Sequence, residues 1–287
     1  MRRSILVAVC ALVFSAGLAL AQQGETQLLD ILKVKVRPDK TMEYENVIRK
    51  LADINRKKGE HWIAFSTEYG DSGTIYFSSL RTGYGDIEAG FAVMQKVMTE
   101  ALGTAGMSRM FADLNAMSVS GTAEIRRRRW DLSVNPPSGR EEAMRTVAAS
   151  RWIRSIRIDV KPGRMPEFIE AWKLWQAELS RVEPRVSVWA SVAETGPPAM
   201  VLAAYYKSLK EVDDIYPGVQ KAVASDTYRT FSRSVAELTE RTNWEIYRLR
   251  PDLSNVPEEL AAMDPTFWKP TPAAKAKPAA EKSVEKK

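Results

Sequence analysis

The chain of 287 residues contains one cysteine, Cys10, and one histidine, His61. That scarcity excludes a zinc ribbon, a CxxC redox pair and any multi-histidine metal centre. A Ser-His-Asp triad has only His61 to build on. No GxGxxG or Walker A string occurs, so nucleotide binding has no motif behind it. The formal charge of +6 also says less than it suggests. Residues 269–287 carry six lysines against Glu281 and Glu285, and Arg2 and Arg3 supply the remainder, which leaves residues 22–268 with no net charge. A neutral body offers no electrostatic footprint for nucleic acid.

What is present begins with residues 1–21, which read as a signal peptide. Arg2 and Arg3 form the positive start, an uncharged apolar run follows from Ile5 to Leu20, and Ala19-Leu20-Ala21 gives the small-x-small cleavage pattern ahead of Gln22. A retained membrane anchor is the competing reading, but Ser15 and Gly17 weaken the span and polar sequence begins at Gln22. Cleavage removes Cys10 and leaves a mature chain without thiol chemistry or disulfides, although its periplasmic or extracellular destination is oxidising. At the far end Pro270, Pro272 and Pro278 stand among Ala and Lys with no aromatic residue. Such a tail cannot bury enough apolar surface to offset its chain entropy and reads as disordered. It suits either contact with anionic envelope polymers or plain solvation.

Between these ends the sequence repeats itself. Glu124-Ile125-Arg126-Arg127-Arg128-Arg129-Trp130-Asp131-Leu132-Ser133 matches Glu245-Ile246-Tyr247-Arg248-Leu249-Arg250-Pro251-Asp252-Leu253-Ser254 as E-I-x-R-x-R-x-D-L-S. Upstream, the alternating segments ending at Pro38 and Pro162 correspond, with Leu32 facing Ile156. Each is followed by one apolar helix face, Tyr44, Ile48 and Leu51 in the first copy and Phe168, Trp172 and Trp175 in the second. Two strand-like segments come next, turned at Gly70-Asp71-Ser72-Gly73 in one copy and Gly196-Pro197-Pro198 in the other. Long helical regions at 87–117 and 210–240 follow, with breaks expected near Gly103 to Gly106 and at Tyr216-Pro217-Gly218. The domain reading is thus a signal peptide at 1–21, repeat one at 22–134, a linker at 135–150 with a short helix over 140–149, repeat two at 151–256, and a C-terminal extension at 257–287.

Two β-α-β-β-α-β runs in tandem define an α+β protein of two ferredoxin-like repeats. This order, with its proline-ended first strands and broken second helical regions, resembles the dimeric α+β barrel superfamily, near its antibiotic-biosynthesis-monooxygenase-like and NIPSNAP-like members. The resemblance implies two four-stranded sheets meeting within one chain, with pairing of two chains into a homodimer left open. It also implies a ligand cleft between sheet and helices, serving cofactor-free oxidation of aromatic substrates, haem chemistry or simple binding. Haem branches need an axial histidine, for which His61 is the sole option, and the tandem haem members place theirs in the second repeat, where this chain has none.

The candidate ligand residues are His61 and Trp62 at a strand start, Tyr76, Trp189 and Tyr205 on inner strands, and Arg127 and Arg248 on the repeated motif. The aromatics suit a flat apolar ligand or simply fill the core. The arginines, with Arg129 and Arg250, share a strand face with Ile125 and Ile246. They suit a carboxylate or phosphate ligand, or else pairing with Asp131, Asp252 and helix acids that caps the sheet end. No metal ligand set and no catalytic group emerges. The function so read is binding of a small apolar or aromatic molecule, with a monooxygenase-like activity open. The alternatives are a non-enzymatic envelope interaction protein and a haem protein using His61. Amino-terminal sequencing of the chain recovered from a bacterial host is expected to begin at Gln22, and recovery of a chain that still begins at Met1 would remove the export reading.

Overall fold

The computed structural model describes residues 27–56 and 58–269; residues 1–21, where a signal peptide is expected, and the tail beyond Lys269 lie outside the described residues. The chain runs β1 (Leu28–Val36), α1 (Thr41–Asn55), β2 (Ile63–Tyr69), β3 (Thr74–Arg81), α2 (Tyr84–Ala116) and β4 (Ser118–Val134). After α3 (Arg140–Ala149) it continues as β5 (Trp152–Val160), α4 (Met165–Leu179), β6 (Val188–Ala193), β7 (Ala199–Tyr206), α5 (Lys210–Val223), α6 (Asp226–Leu238) and β8 (Thr239–Leu249), then ends in the short helices α7 (Glu258–Met263) and α8 (Pro265–Trp268). The alternating segments read from sequence are strands, and the spaced aromatics are buried helix faces: Tyr44, Ile48 and Leu51 on α1, Phe168, Trp172 and Trp175 on α4.

All eight strands form one closed barrel in the order β1-β3-β2-β8-β5-β7-β6-β4, every pairing antiparallel. The first half supplies β4-β1-β3-β2 and the second β8-β5-β7-β6, so closure happens at two seams, β2 with β8 and β4 with β6. The repeated D-L-S end of the motif stitches both. Ser254 Oγ accepts the Ala64 N–H on β2 at 2.8 Å, and Ser133 Oγ accepts the Ala190 N–H on β6 at 2.9 Å. Each serine in turn donates to the carbonyl four residues back, Arg250 or Arg129. The leucine carbonyls beside them accept indole N–H groups at 2.8 Å, Leu253 from Trp62 and Leu132 from Trp172. Each closing strand therefore secures an edge strand of the opposite half.

Helices cover the outside of the barrel. In the first half Tyr44, Ile48, Trp62 and Met98 fill the layer between sheet and helices, and in the second half Phe168, Trp172, Trp175 and Phe231 do so. A third apolar cluster joins lumen residues such as Ile153 and Leu249 to Ala148 of α3, Leu260 of α7 and Trp268 of α8. These short helices plug one barrel end, fixed by the Trp268 indole donating to the Ala148 carbonyl at 3.0 Å and by the Arg151–Asp264 ion pair.

Two expectations about the helices resolve differently. Gly103 breaks α2 with φ +68°, a left-handed value that favours glycine. In the second half the break falls at Ala224–Ser225 and not at Tyr216-Pro217-Gly218, because Ser225 caps α6 by accepting the Tyr228 N–H at 3.1 Å while Pro217 is carried inside α5. Gly218 serves a close approach instead: any side chain there would run into the Glu183 backbone. Replacing Ser133 or Ser254, both buried, with Ala leaves a buried strand N–H unsatisfied and is expected to cost about 1–3 kcal/mol each in urea unfolding. The two sites are separate seams, so the double variant should lose roughly the sum.

Candidate functional site

Alternation along the strands decides which side chains enter the barrel. Leu29 and Ile31 on β1, Ile63 and Phe65 on β2, Tyr76 on β3, Arg126 and Arg128 on β4, Ser155 on β5, Tyr205 on β7 and Tyr247 on β8 all line a lumen cavity of about 80 Å³. An eight-stranded barrel is just wide enough to be filled by side chains or to hold one small ligand. Here both happen. Phe65, Tyr76 and Tyr247 pack mutually, with ring centroids 5.0–5.1 Å apart, and fill the side near the β2–β8 seam. Smaller residues, Ser191, Val201 and Ala203, form the part of the cavity wall on β6 and β7.

The lumen is apolar at the plugged end and charged toward the other. The same faces of β1, β5 and β8 carry Lys33, Arg157 and Arg241 onward from the cavity, and β4 carries Glu124. Glu124 accepts from Arg126 at 2.8 Å and from Arg157 at 2.7 Å, while Asp159 accepts from Arg157 and Arg241. Burial alone would raise the Glu124 pKa, but the two guanidinium groups outweigh it and hold the carboxyl below its usual range. Its counterpart in the repeat, Glu245, has hydroxyl partners instead, accepting from Tyr247 at 2.7 Å and Tyr76 at 3.2 Å. Burial and the adjacent carboxylate push both tyrosine hydroxyls well up. Lys33 lies over the Tyr76 ring and pairs with Asp71, whose carboxyl the Lys35 ammonium, together with Lys33, holds down at about 2.

Arg128 stands apart from this network. Its guanidinium packs over Trp130 and Trp189, 5.1 and 5.4 Å from the ring centroids, and forms part of the cavity wall. Burial pushes its pKa down, with Tyr205 beside it acting the other way. As a guanidinium it nevertheless remains a cation. Trp189 also stacks against Tyr205 at 4.5 Å and donates its indole N–H to Ser187 at 3.1 Å. Tyr205 is shared with a second space of about 290 Å³, a cleft bounded by Pro184 to Ser187, Tyr206 and Glu211, Asp214 and Ile215 of α5.

Of the residues singled out from sequence, Tyr76 and Tyr205 line the lumen and Trp189 stands on the same face beside Tyr205. The others lie elsewhere. Trp62 belongs to the sheet–helix core, and His61 is exposed ahead of β2 and lines neither space. Arg127 and Arg248 occupy the outer face: Arg127 pairs with Glu194 at 2.6 Å, and exposed Arg248 lies over Trp152. Arg129 pairs with Asp131, and Arg250 with Asp252 and Glu45. Core aromatics fill most of the layer between sheet and helices, where a ligand cleft was expected; the cleft between β7 and α5 lies at its edge, and a second space lies inside the barrel. Sequence reasoning missed Glu124, Arg126, Arg128, Glu245 and Tyr247. The signal was the period of two on the repeated motif: its glutamates mark one face and its isoleucines the other, and the inward face is that of the glutamates.

This architecture, a closed antiparallel eight-stranded barrel with helices outside, is the dimeric α+β barrel fold. No family model matches the chain, and no curated protein matches its sequence. Solved structures do match. An anthrone oxidase-like protein superposes with TM-score 0.50 at 12% identity, over 80% of this chain and 93% of its own. A protein named as a chlorite dismutase gives TM-score 0.50 at 10% identity, over 83% of this chain and 99% of its own. A protein named as a monooxygenase of Fusobacterium nucleatum gives 0.49 at 12% identity, over 78% and 92%. At such identities the likeness is one of fold.

The raised tyrosines give the site a pH signature. Tyr76 and Tyr247 hold protons in the folded chain that the unfolded chain releases above about pH 10. Their contribution to stability is full below that value and is lost as pH rises beyond it, by up to about 1.4 kcal/mol per pH unit for each group. Urea unfolding between about pH 8 and pH 11 is expected to show this decline, and Tyr247→Phe should make it less steep, with Tyr76 and the buried Tyr44 and Tyr206 supplying the remainder.

Proposed function

We propose that the chain is an exported small-molecule-binding protein built from two ferredoxin-like repeats, which takes an apolar or aromatic ligand into the barrel lumen past Tyr205. The observation that carries this reading is the lumen cavity, walled by aromatic and aliphatic side chains with a few polar tips. Tyr205 is common to the cavity and the outer cleft and so stands where a ligand would pass between them. The fold shared with an anthrone oxidase-like protein agrees with cofactor-independent oxidation of an activated aromatic molecule. Such a reaction needs a base, and the carboxylate in reach of the cavity through two tyrosine hydroxyls is Glu245.

The fold shared with a chlorite dismutase raises haem as a second possibility. The residues here do not fit it, since the single histidine is exposed and outside both spaces. The remaining alternative, envelope contact through the lysine-rich tail, rests on residues outside the described part of the chain.

Native mass spectrometry of the mature chain, purified gently and then denatured, is the test. A stoichiometric adduct of small organic mass is expected, and Tyr205→Trp, which narrows the passage, should reduce its occupancy. A haem mass would overturn the reading in favour of His61, and an empty chain whose tail alone retains envelope material would overturn it in favour of the interaction protein.

A further inference from the structure

We infer that Arg128 is the anchor of a carboxylate-binding site inside the barrel, which takes a compact monocarboxylate with its short apolar body against Leu29, Ile31 and Val201. This rests on the lumen as the ligand site and names the chemistry that site accepts.

Charge pairing in the lumen supplies the argument. Among the described residues Arg126 has Glu124, Arg157 has Glu124 and Asp159, Arg241 has Asp159, and Lys33 has Asp71. Arg128 reaches the same interior with no carboxylate within ion-pair distance. An interior cation without a counter-charge is costly unless a partner arrives. The barrel lowers that cost only in part, through the faces of Trp130 and Trp189 and the neighbouring Tyr205 hydroxyl, and none of these supplies a negative charge. A planar fork held in one orientation by two indoles matches the two oxygens of a carboxylate. The Tyr205 hydroxyl beside it can accept from the guanidinium and still has its own proton to donate to the same carboxylate.

Size limits the rest of the ligand. A cavity of about 80 Å³ is roughly half the ~150 Å³ void that accepts benzene, so with Tyr205 in the observed position the body is a few carbons, and an aromatic ring enters only when Tyr205 swings aside. Leu29, Ile31 and Val201 give that body an apolar wall. Bulk salt ions such as chloride are less suited, because they leave this wall unfilled and the fork half used.

The test compares acetate, propionate and butyrate with acetamide, propionamide and butyramide on the mature chain, by calorimetry and by the fluorescence of the tryptophans that flank Arg128. Carboxylates are expected to bind at least tenfold more tightly than their amides, as charge-assisted hydrogen bonds require. Arg128→Met should remove that preference, while Arg127→Gln, one residue along on the outer face, should keep it. If Arg128→Met fails to fold, Arg128→Lys retains the charge without the fork and is expected to bind about tenfold more weakly, and the acid-to-amide comparison on the parent chain needs no variant. Amides binding as well as acids, or Arg128→Met keeping the preference, would overturn the carboxylate site and leave lumen binding intact. Failure of every probe to bind would overturn both.

Discussion

Closure of the barrel at two seams is the constraint on which the rest depends. A four-stranded sheet has two edges of unpaired N–H and C=O groups, and each half of this chain solves the problem with the other half. The seams are short, so the sheet ladder alone does not finish them. Ser133 and Ser254 complete the work, each taking the N–H of an edge strand across the seam and returning its own proton to a carbonyl four residues back. The indoles of Trp172 and Trp62 bind the adjacent leucine carbonyls and tie the same segments to the helix layers. The duplicated motif is therefore a fastening that has to be present twice.

Once the barrel is closed, period-two alternation divides every strand between two environments. The outer face meets helices and fills with Trp, Phe and Met. The inner face meets only its counterpart across the lumen, and there the two halves differ. Glu124 and Glu245 occupy matching positions, but the residue two places on is Arg126 in one half and Tyr247 in the other. One glutamate is consequently held by guanidinium groups and the other by phenols. The same divergence sets one ring cluster, Phe65, Tyr76 and Tyr247, near the β2–β8 seam and another, Trp130, Trp189 and Tyr205 around Arg128, near the β4–β6 seam. A symmetric frame thus encloses an asymmetric interior.

The charged groups follow the same logic. Toward the open end, acids and bases neutralise one another in a chain running through Glu124, Arg157, Asp159 and Arg241, which ties β4, β5 and β8 together inside the barrel. Toward the plugged end the lumen becomes apolar, sealed by α3, α7 and α8. Arg128, two residues further along β4 than Arg126 and away from that chain of charges, is a cation braced by aromatic faces. The arginines that first drew notice, Arg127 and Arg248, lie one residue out of phase and spend their charge on the outer surface.

The sequence by itself determined the element order, the strand alternation and the helix faces, because these are local: Pro38 and Pro162 end strands, Tyr44-Ile48-Leu51 and Phe168-Trp172-Trp175 repeat at helical spacing, and the E-I-x-R motif announces the duplication. It did not determine which strand face looks inward. That depends on which side the helices of each half cover, and a one-residue difference exchanges Arg127 for Arg128. Nor did it show that Ser133 and Ser254 reach across to the opposite half, since their partners lie 57 and 190 residues away. The second helix break was misplaced for a similar reason: Gly218 owes its identity to the backbone of Glu183, a contact made only by folding. Local pattern is written along the chain, but closure, facing and cavity arise between segments distant in sequence, and only the tertiary structure decided them.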